Sequence, residues 1–540
     1  MHKFGKFFGF LALFLALPLA MGNVALGAGK TLTLSVPSEV TGLDPQKANS
    51  LDAMNIAVHI FEGLVRVHDG KVLPGMAESW EISEDGTTYI FHLRNALWSD
   101  GVPVTAKDFE YGMIRLLDPA TASEYAFAGN LIENGDEFTA GTIKDSAKVG
   151  VKALDDKTLE IRLKQPADYF LGYLYQCNFY PVRQEIVEKY GERFATEAKY
   201  MVYNGPFLLK TWKHEQELVL VKNPKYWNAD AIKLDQVNIL QIYETNTALS
   251  MFETGELDMV DIPFNMYEEY LQEGKAEVYF SGANDWFKVN VRPNPEKPWL
   301  ANKNFRKALA YAIDREDYLK IATKGLYVPN QRILLPLIAG VNERYFVDEF
   351  PLAYYSVKAD IPKAKEYLAK AMEELEIQDP SEISITYLIQ DEEVCRVMSE
   401  TLQNQISSNL GINFDVRMVT RKQRMHSEQK GDYDVVYHGW APDYDDPMTY
   451  LEIWQGNSSQ NNSGYANPEV DLLIDQARAE TDEVKRGEML FQAEQMLLDD
   501  AAVIPLQLRR NAWSLNPGIT GILRPFVGGS LSFIYADVEN

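Results

Sequence analysis

Past its first thirty residues the chain opens on an alternation of period two. Lys30-Thr31-Leu32-Thr33-Leu34-Ser35-Val36 predicts a half-buried strand, and Ala53 to Val65 then carries apolar residues at helical spacing up to Phe61-Glu62-Gly63-Leu64. Trp80-Glu81-Ile82 and Tyr89-Ile90-Phe91-His92-Leu93 flank Glu84-Asp85-Gly86, which predicts a hairpin. Thr105-Ala106-Lys107-Asp108 has the spacing of a capping box, so a helix is expected to start there. A second hairpin is predicted over Val151 to Leu163, turning at Asp155-Asp156. Asn204-Gly205-Pro206-Phe207 interrupts the pattern at a domain crossing, two strands follow around Asn223-Pro224, and a helix ends near Glu253 to Asp258.

Beyond a Pro-rich linker from Pro293 to Pro298, Phe305, Ala308, Leu309, Ala312 and Ile313 share one helical face that closes at Asp314-Arg315. Ala364, Leu368 and Met372 mark another helix, and Asn467-Pro468 caps one containing Leu473, Ile474 and Ala477. Between them a strand at Ile383 to Ile389, a helix near Val397 to Ile406 and a strand at Ile412 to Met418 make a βαβ-like unit leading to the apolar run Asp434-Val435-Val436-Tyr437-His438. The nonamer Gly439-Trp440-Ala441-Pro442-Asp443-Tyr444-Asp445-Asp446-Pro447 reads as an ordered loop leaving that strand, at the sheet edge where α/β domains commonly bind ligands. Three carboxylates beside a Trp and a Tyr form a half-apolar, half-anionic wall suited to a cationic group. Asp side chains also cap turns by bonding nearby amides, so the nonamer alone leaves both readings open.

Composition narrows the class. Hydrophobic residues make up 46% and charged residues 24%, which is globular, and 540 residues leave room for two to four domains. His2, Lys3 and Lys6 precede an apolar stretch from Phe7 to Leu19 and the small residues Ala25-Leu26-Gly27-Ala28, so residues 1–28 are expected to be a cleaved signal peptide. That stretch is about 13 residues, short of the ~20 that a bilayer requires. No Cys lies near the cleavage site, which argues for a free periplasmic protein over a lipid-anchored one. Cys177 and Cys395 read as buried small residues. The net charge of −26 disfavours nucleic acid and anionic membranes and favours cationic solutes. No G-x-S-x-G, Walker A or H-E-x-x-H motif occurs and no two of the seven histidines stand at i,i+4, so neither an enzyme nor a metal site is expected, and no cofactor.

Several segments, in order, carry a resemblance: Gly42-Leu43-Asp44-Pro45, Phe61-Glu62-Gly63-Leu64, Pro74 to Trp80, Trp98-Ser99-Asp100-Gly101 through Asp108, Asn204-Gly205-Pro206-Phe207, Asn223-Pro224-Lys225-Tyr226-Trp227 and the nonamer. Together they resemble the family 5 extracellular solute-binding proteins of ABC importers, in the oligopeptide-binding branch. The resemblance implies an α/β, three-lobed periplasmic-binding-protein-like fold (type II, cluster C-like), with two main lobes closing over a cleft. Residues 29–64, 190–290 and 510–540 are expected in lobe I, 65–189 in lobe II and 291–509 in lobe III. It further implies a monomer that takes peptide and passes it to a permease with ATPase subunits.

By the same resemblance Asp443 pairs with a peptide's α-ammonium. Trp440 and the backbone of Tyr437, His438 and Gly439 form the edge against which the peptide lies, Tyr444 flanks it, and Asn49 and Leu51 line the facing side. Trp80, Trp98 and Trp227 are expected to be packing residues. An enteric member carries, where Tyr437 stands, an Arg able to meet a short peptide's carboxylate. That anchor is therefore expected to be missing here, and the acidic Asp391-Glu392-Glu393 is expected to favour cationic side chains. The same fold also hosts binders of oligosaccharides, dipeptides and metal complexes, and a sugar site has no need of Asp443.

Overall fold

The computed structural model describes residues 29–539 apart from 41, 69–70, 168, 343, 459 and 528–530; the expected signal peptide and Thr41 lie outside the described residues. Three larger sheets organise the chain. In the first, Thr31–Val36 runs parallel to Gln236–Gln241, followed by Glu217–Lys222 and Phe207–Lys213 in antiparallel order. The second is the two predicted hairpins joined, ordered Ala77–Ile82, Thr88–Leu93, Thr158–Arg162, Val151–Ala153. Gly86 takes the positive φ of 69° that the first hairpin turn requires. Three strands, not two, surround Asn223-Pro224.

The third sheet has seven strands and holds the nonamer. Its parallel part is the predicted βαβ unit, Ser384–Gln390 beside Asn413–Val419 with Glu393–Leu410 crossing between them. Val435–Trp440 follows, and then two 13-residue strands, Glu277–Val289 and Val503–Leu515, which the sequence reading did not anticipate. Much of their length is buried, so the polar half of an alternating pattern is missing. Another expectation needs correction. The helix carrying Phe305 spans Lys303–Tyr311, and Asp314 does not close it; its side chain accepts from the Asp317 amide and starts a new helix, Arg315–Thr323.

The two long strands pair in two runs. Glu277–Phe280 faces Arg510–Trp513, Asn284–Lys288 faces Val503–Leu508, and the register shifts between Phe280 and Asn284. Gly282 lies within the shift at φ +82°, and a Cβ there would stand 2.3 Å from the Phe526 carbonyl oxygen. The irregularity gives these strands a place to bend.

Several of the segments that carry the resemblance meet at one junction, which explains their residue types. Asn204 bonds both ways with Glu62, its Nδ2 donating to the Glu62 carbonyl and its Oδ1 accepting from the Glu62 amide, each at 3.0 Å. The Gly205 amide donates to the Ile60 carbonyl at 3.0 Å, and Asn223 Nδ2 donates to the Gly205 carbonyl at 2.8 Å. Lys225 Nζ donates to the Ser99 carbonyl at 2.9 Å, and Trp98, fully buried, donates its indole N–H to Asp108. Trp80 is half-buried against the core and Trp227 lies under Arg94, whose guanidinium carbon is 3.6 Å from the ring centroid. Each Trp packs, as expected. Cys177 and Cys395 are buried and free.

Gly205→Ala tests the junction. The new Cβ would sit 2.5 Å from the Ile60 carbonyl carbon, a backbone atom with little freedom to yield. A loss of about 1–3 kcal/mol is expected in urea denaturation; unchanged stability would show that the junction relaxes freely.

Candidate functional site

The strand before the nonamer has one edge only partly paired. From Val435 to Trp440 it pairs with Asn284–Val289 on one side, while on the other Ser384–Gln390 reaches it only at Val435 and Val436. Arg424 Nη1 donates to the Tyr437 carbonyl at 2.8 Å. Beyond that, no described strand pairs with this edge from His438 to Trp440, and Gly439 is exposed. Such an edge accepts an added strand through main-chain bonds.

The three carboxylates of the loop diverge in environment. Asp446 is matched by Arg486, whose Nη1 and Nη2 each donate to it at 2.8 Å. Asp445 accepts the Ala339 amide at 2.8 Å, and burial pushes its pKa up to about 6. Asp443 is 9% exposed and has no cation beside it among the described residues. Its Oδ1 accepts from Gln176 Nε2 at 2.9 Å, and its amide donates to Thr449 Oγ1 at 3.1 Å. Burial, reinforced by the charge of Glu452 and opposed by the Gln176 hydrogen bond, pushes its pKa up to about 7. A buried carboxylate at that threshold is an unmatched half of an ion pair. The anionic wall expected from the sequence is thus reduced to two acids without a cation, of which Asp443 is the more deeply buried.

Aromatic rings surround it. Burial, and then the charge of Asp443, raises the pKa values of Tyr125 and Tyr173, which places both hydroxyls within its field. Tyr444 stacks on Tyr169 with centroids 4.2 Å apart, lies 4.8 Å from Tyr173 and donates its hydroxyl to Glu452. Its ring is fully buried.

The remaining expected residues are placed as follows. The Tyr437 side chain is buried and donates to Asp285, leaving its backbone at the edge. The His438 ring lies against Trp286, with Nδ1 2.5 Å from Glu428. Half-buried Trp440 directs its indole N–H toward Thr449. Asn49 and Leu51 are exposed, Leu51 by 50%, at the start of the helix Leu51–Ile60. Asn178 ties that turn to the site, its Nδ2 donating to the Pro45 and Ala48 carbonyls two residues after the Gln176 that holds Asp443. Asp391 pairs with Arg396. Gln176, Tyr125 and Tyr173 were missed by the sequence reading. Gln176 lies 267 residues from its partner, and no local pattern marks it.

A partly paired strand edge beside a buried acid with no cation is an arrangement able to hold a ligand. The comparisons agree. A sequence profile described as bacterial extracellular solute-binding proteins, family 5 Middle, matches residues 71–462, and the chain belongs to that family. The chain is 33% identical over 502 residues to the dipeptide-binding protein DppE of Bacillus subtilis, covering 92% of this chain and 90% of the relative. It is also 33% identical over 516 residues to the oligopeptide-binding protein OppA of the same organism, covering 92% and 91%. The structure of Listeria monocytogenes OppA bound to peptide superposes with a TM-score of 0.83 at 29% identity, covering 95% of this chain and 99% of that one. Among the described residues no helix is long and apolar enough to cross a membrane.

Removing the unmatched charge is expected to stabilise the empty protein. Asp443 holds its proton to about pH 7 when folded and to about pH 4 when unfolded, so its cost to the fold grows across that window and is constant above it. Asp443→Asn should therefore gain on the order of 2–4 kcal/mol above pH 7, at about 1.4 kcal/mol per pKa unit, and the gain should shrink toward pH 4. Urea denaturation at pH 8 and pH 4.5 reads both values; a loss of stability at pH 8 would contradict the assignment.

Proposed function

We propose that this protein is the extracytoplasmic binding component of an ABC importer. It captures oligopeptides in the crevice and delivers them to a membrane permease driven by ATPase subunits. Asp443 carries this reading: a buried carboxylate with no cation beside it accommodates a ligand that brings its own, and a peptide's α-ammonium does so. The free edge from His438 to Trp440 supplies main-chain bonds that do not depend on the peptide's side chains. Asn49 and Leu51 close over the opposite side. The relatives named as dipeptide- and oligopeptide-binding support the same ligand class.

The protein acts as a monomer in the periplasm after removal of residues 1–28, binds without catalysing a reaction, and uses no cofactor. Lobe I comprises the outer parts of the chain, lobe II residues 65–189 and lobe III the part centred on 291–509. The crossing between lobes I and III lies at the Phe280–Asn284 register shift, where the two long strands can hinge. Gln176 and the Tyr169–Tyr444 stack join the two sides in the closed form.

Two measurements test the ligand. Asp443→Asn, or N-acetylation of the peptide, is expected to weaken binding at pH 7.5 by roughly a hundredfold to several thousandfold, since removing one partner of a buried ion pair costs on the order of 3–5 kcal/mol. Calorimetric affinities within threefold of one another would exclude the amine site. Binding is also expected to release a proton below pH 7, because the ammonium displaces the one Asp443 holds in the empty protein. Affinity should then fall by up to about tenfold per unit as pH drops below 7, and again above about pH 8 as the peptide amine loses its charge. Heats that do not vary with the ionisation enthalpy of the buffer at pH 6 would contradict this.

A further inference from the structure

The segment Tyr169-Phe170-Leu171-Gly172-Tyr173-Leu174-Tyr175-Gln176 has no charged side chain. A short helix, Phe170–Tyr173, and the turn after it bring Tyr169, Tyr173 and Gln176, at i, i+4 and i+7, to the loop that carries Asp443. Tyr169 stacks on Tyr444 with centroids 4.2 Å apart and planes 8° from parallel. Tyr173 meets the same ring at 4.8 Å with a tilt of 58°, and Gln176 donates to Asp443 itself.

Each of these two parts is fastened elsewhere by stronger means. The loop is pinned by charge: Arg486 donates through both Nη groups to Asp446, Asp445 accepts the Ala339 amide, and Tyr444 donates its hydroxyl to Glu452 at 2.5 Å. The segment is seated by Phe170, edge-on to Tyr89 at 5.1 Å, and by Asn178, which donates to the Pro45 and Ala48 carbonyls. Between segment and loop lie rings and a hydrogen bond from a neutral amide. That neutral contact separates at less cost than the charged pins, and a ligand requires a separation. Asp443 is buried under Gln176, so an ammonium arriving from water must first part the groups that cover the acid.

Within the contact the ring of Tyr169 is favourable and its hydroxyl is not. The residue is buried, and its hydroxyl has no hydrogen-bond partner among the described residues. Burying an unpartnered hydroxyl opposes the contact, whereas the stack promotes it. Arg486 adds to the ring's share, its guanidinium carbon standing 5.9 Å from the Tyr169 centroid.

We infer that Tyr169 is a positioning residue for ligand capture: through Tyr444 its ring holds the segment 169–176 against the loop of Asp443, and so sets how long a captured ligand stays. The inference rests on the peptide-binding reading and adds to it a residue that controls release. A contact re-formed after the ligand has entered slows departure. It leaves arrival nearly unchanged, because arrival occurs while the contact is apart.

Surface plasmon resonance on the immobilised ligand-free mature protein, with tri-, tetra- and penta-alanine at pH 7.5, tests this. Tyr169→Ala is expected to raise the dissociation rate about tenfold or more and to keep the association rate within about threefold of wild type. Tyr169→Phe keeps the ring and drops the unpartnered hydroxyl, so it is expected to release peptide at the wild-type rate or up to several-fold more slowly. Should Tyr169→Ala fail to fold, Tyr169→Leu removes the stack while keeping an apolar side chain, and the same faster release is expected. Release within about twofold of wild type in the folded Ala or Leu variant overturns the inference. So does a Tyr169→Phe variant that releases as fast as those two, or a loss of affinity confined to association. Each of these results leaves the peptide reading standing. Failure of the wild type to bind any of the three peptides overturns the peptide reading, and the role of Tyr169 in capture with it.

Discussion

A single carboxylate kept out of water without a counter-charge sets the terms for the rest of this molecule. Asp443 would be cheaper to the fold as an amide, or with the kind of Arg partner that Asp446 has three residues away. The contrast within one loop separates structure from function. Asp446 is matched and fixes the loop to a helix. Asp445 caps a backbone amide. Asp443 is held by a neutral amide, Gln176, which orients the acid without neutralising it. A neutral donor leaves the site able to accept a cation while still directing the oxygen that receives it.

The surrounding architecture keeps that acid dry and makes it reachable. The loop leaves a strand with one edge only partly paired, and the two longest strands of the same sheet break register at Gly282, between the part that pairs with the nonamer's strand and the part that does not. The Tyr169–Tyr444 stack and the Gln176–Asp443 bond lie across the opposite end. Burial is what makes the unmatched acid costly, and a group that brought a positive charge to it would relieve that cost.

Legibility in the sequence followed the range of the interactions. The hairpin at Asp85-Gly86, the capping box at Thr105 and the helix start at Asn467-Pro468 rest on contacts within a few residues, and each was readable. Glu277–Val289 and Val503–Leu515 were not. Their pairing spans more than 200 residues and their burial removes the alternation that identifies a strand. Asp314 was misread because a capping Asp after an apolar helical face fits the end of one helix as well as the start of the next. Asp443 was readable as a candidate through its motif. Its lack of a cation was not, because that depends on where Arg486, Gln176 and the tyrosines fall in space.

Tyr437 shows the limit of reading a site position by position. An Arg absent from one strand implies a lost charge only if no other strand supplies one, and here Arg509, two strands away, lies against the Tyr437 hydroxyl with Asp285 and Gln507 completing the set. What a pocket presents to a ligand is the sum of the side chains that converge on it. The strands that supply them can exchange residue types while the charge stays in place. The acid beyond one end of the partly paired edge and the guanidinium beside the other are opposite in charge. Between them lies backbone whose hydrogen-bonding groups do not depend on a partner's side chains.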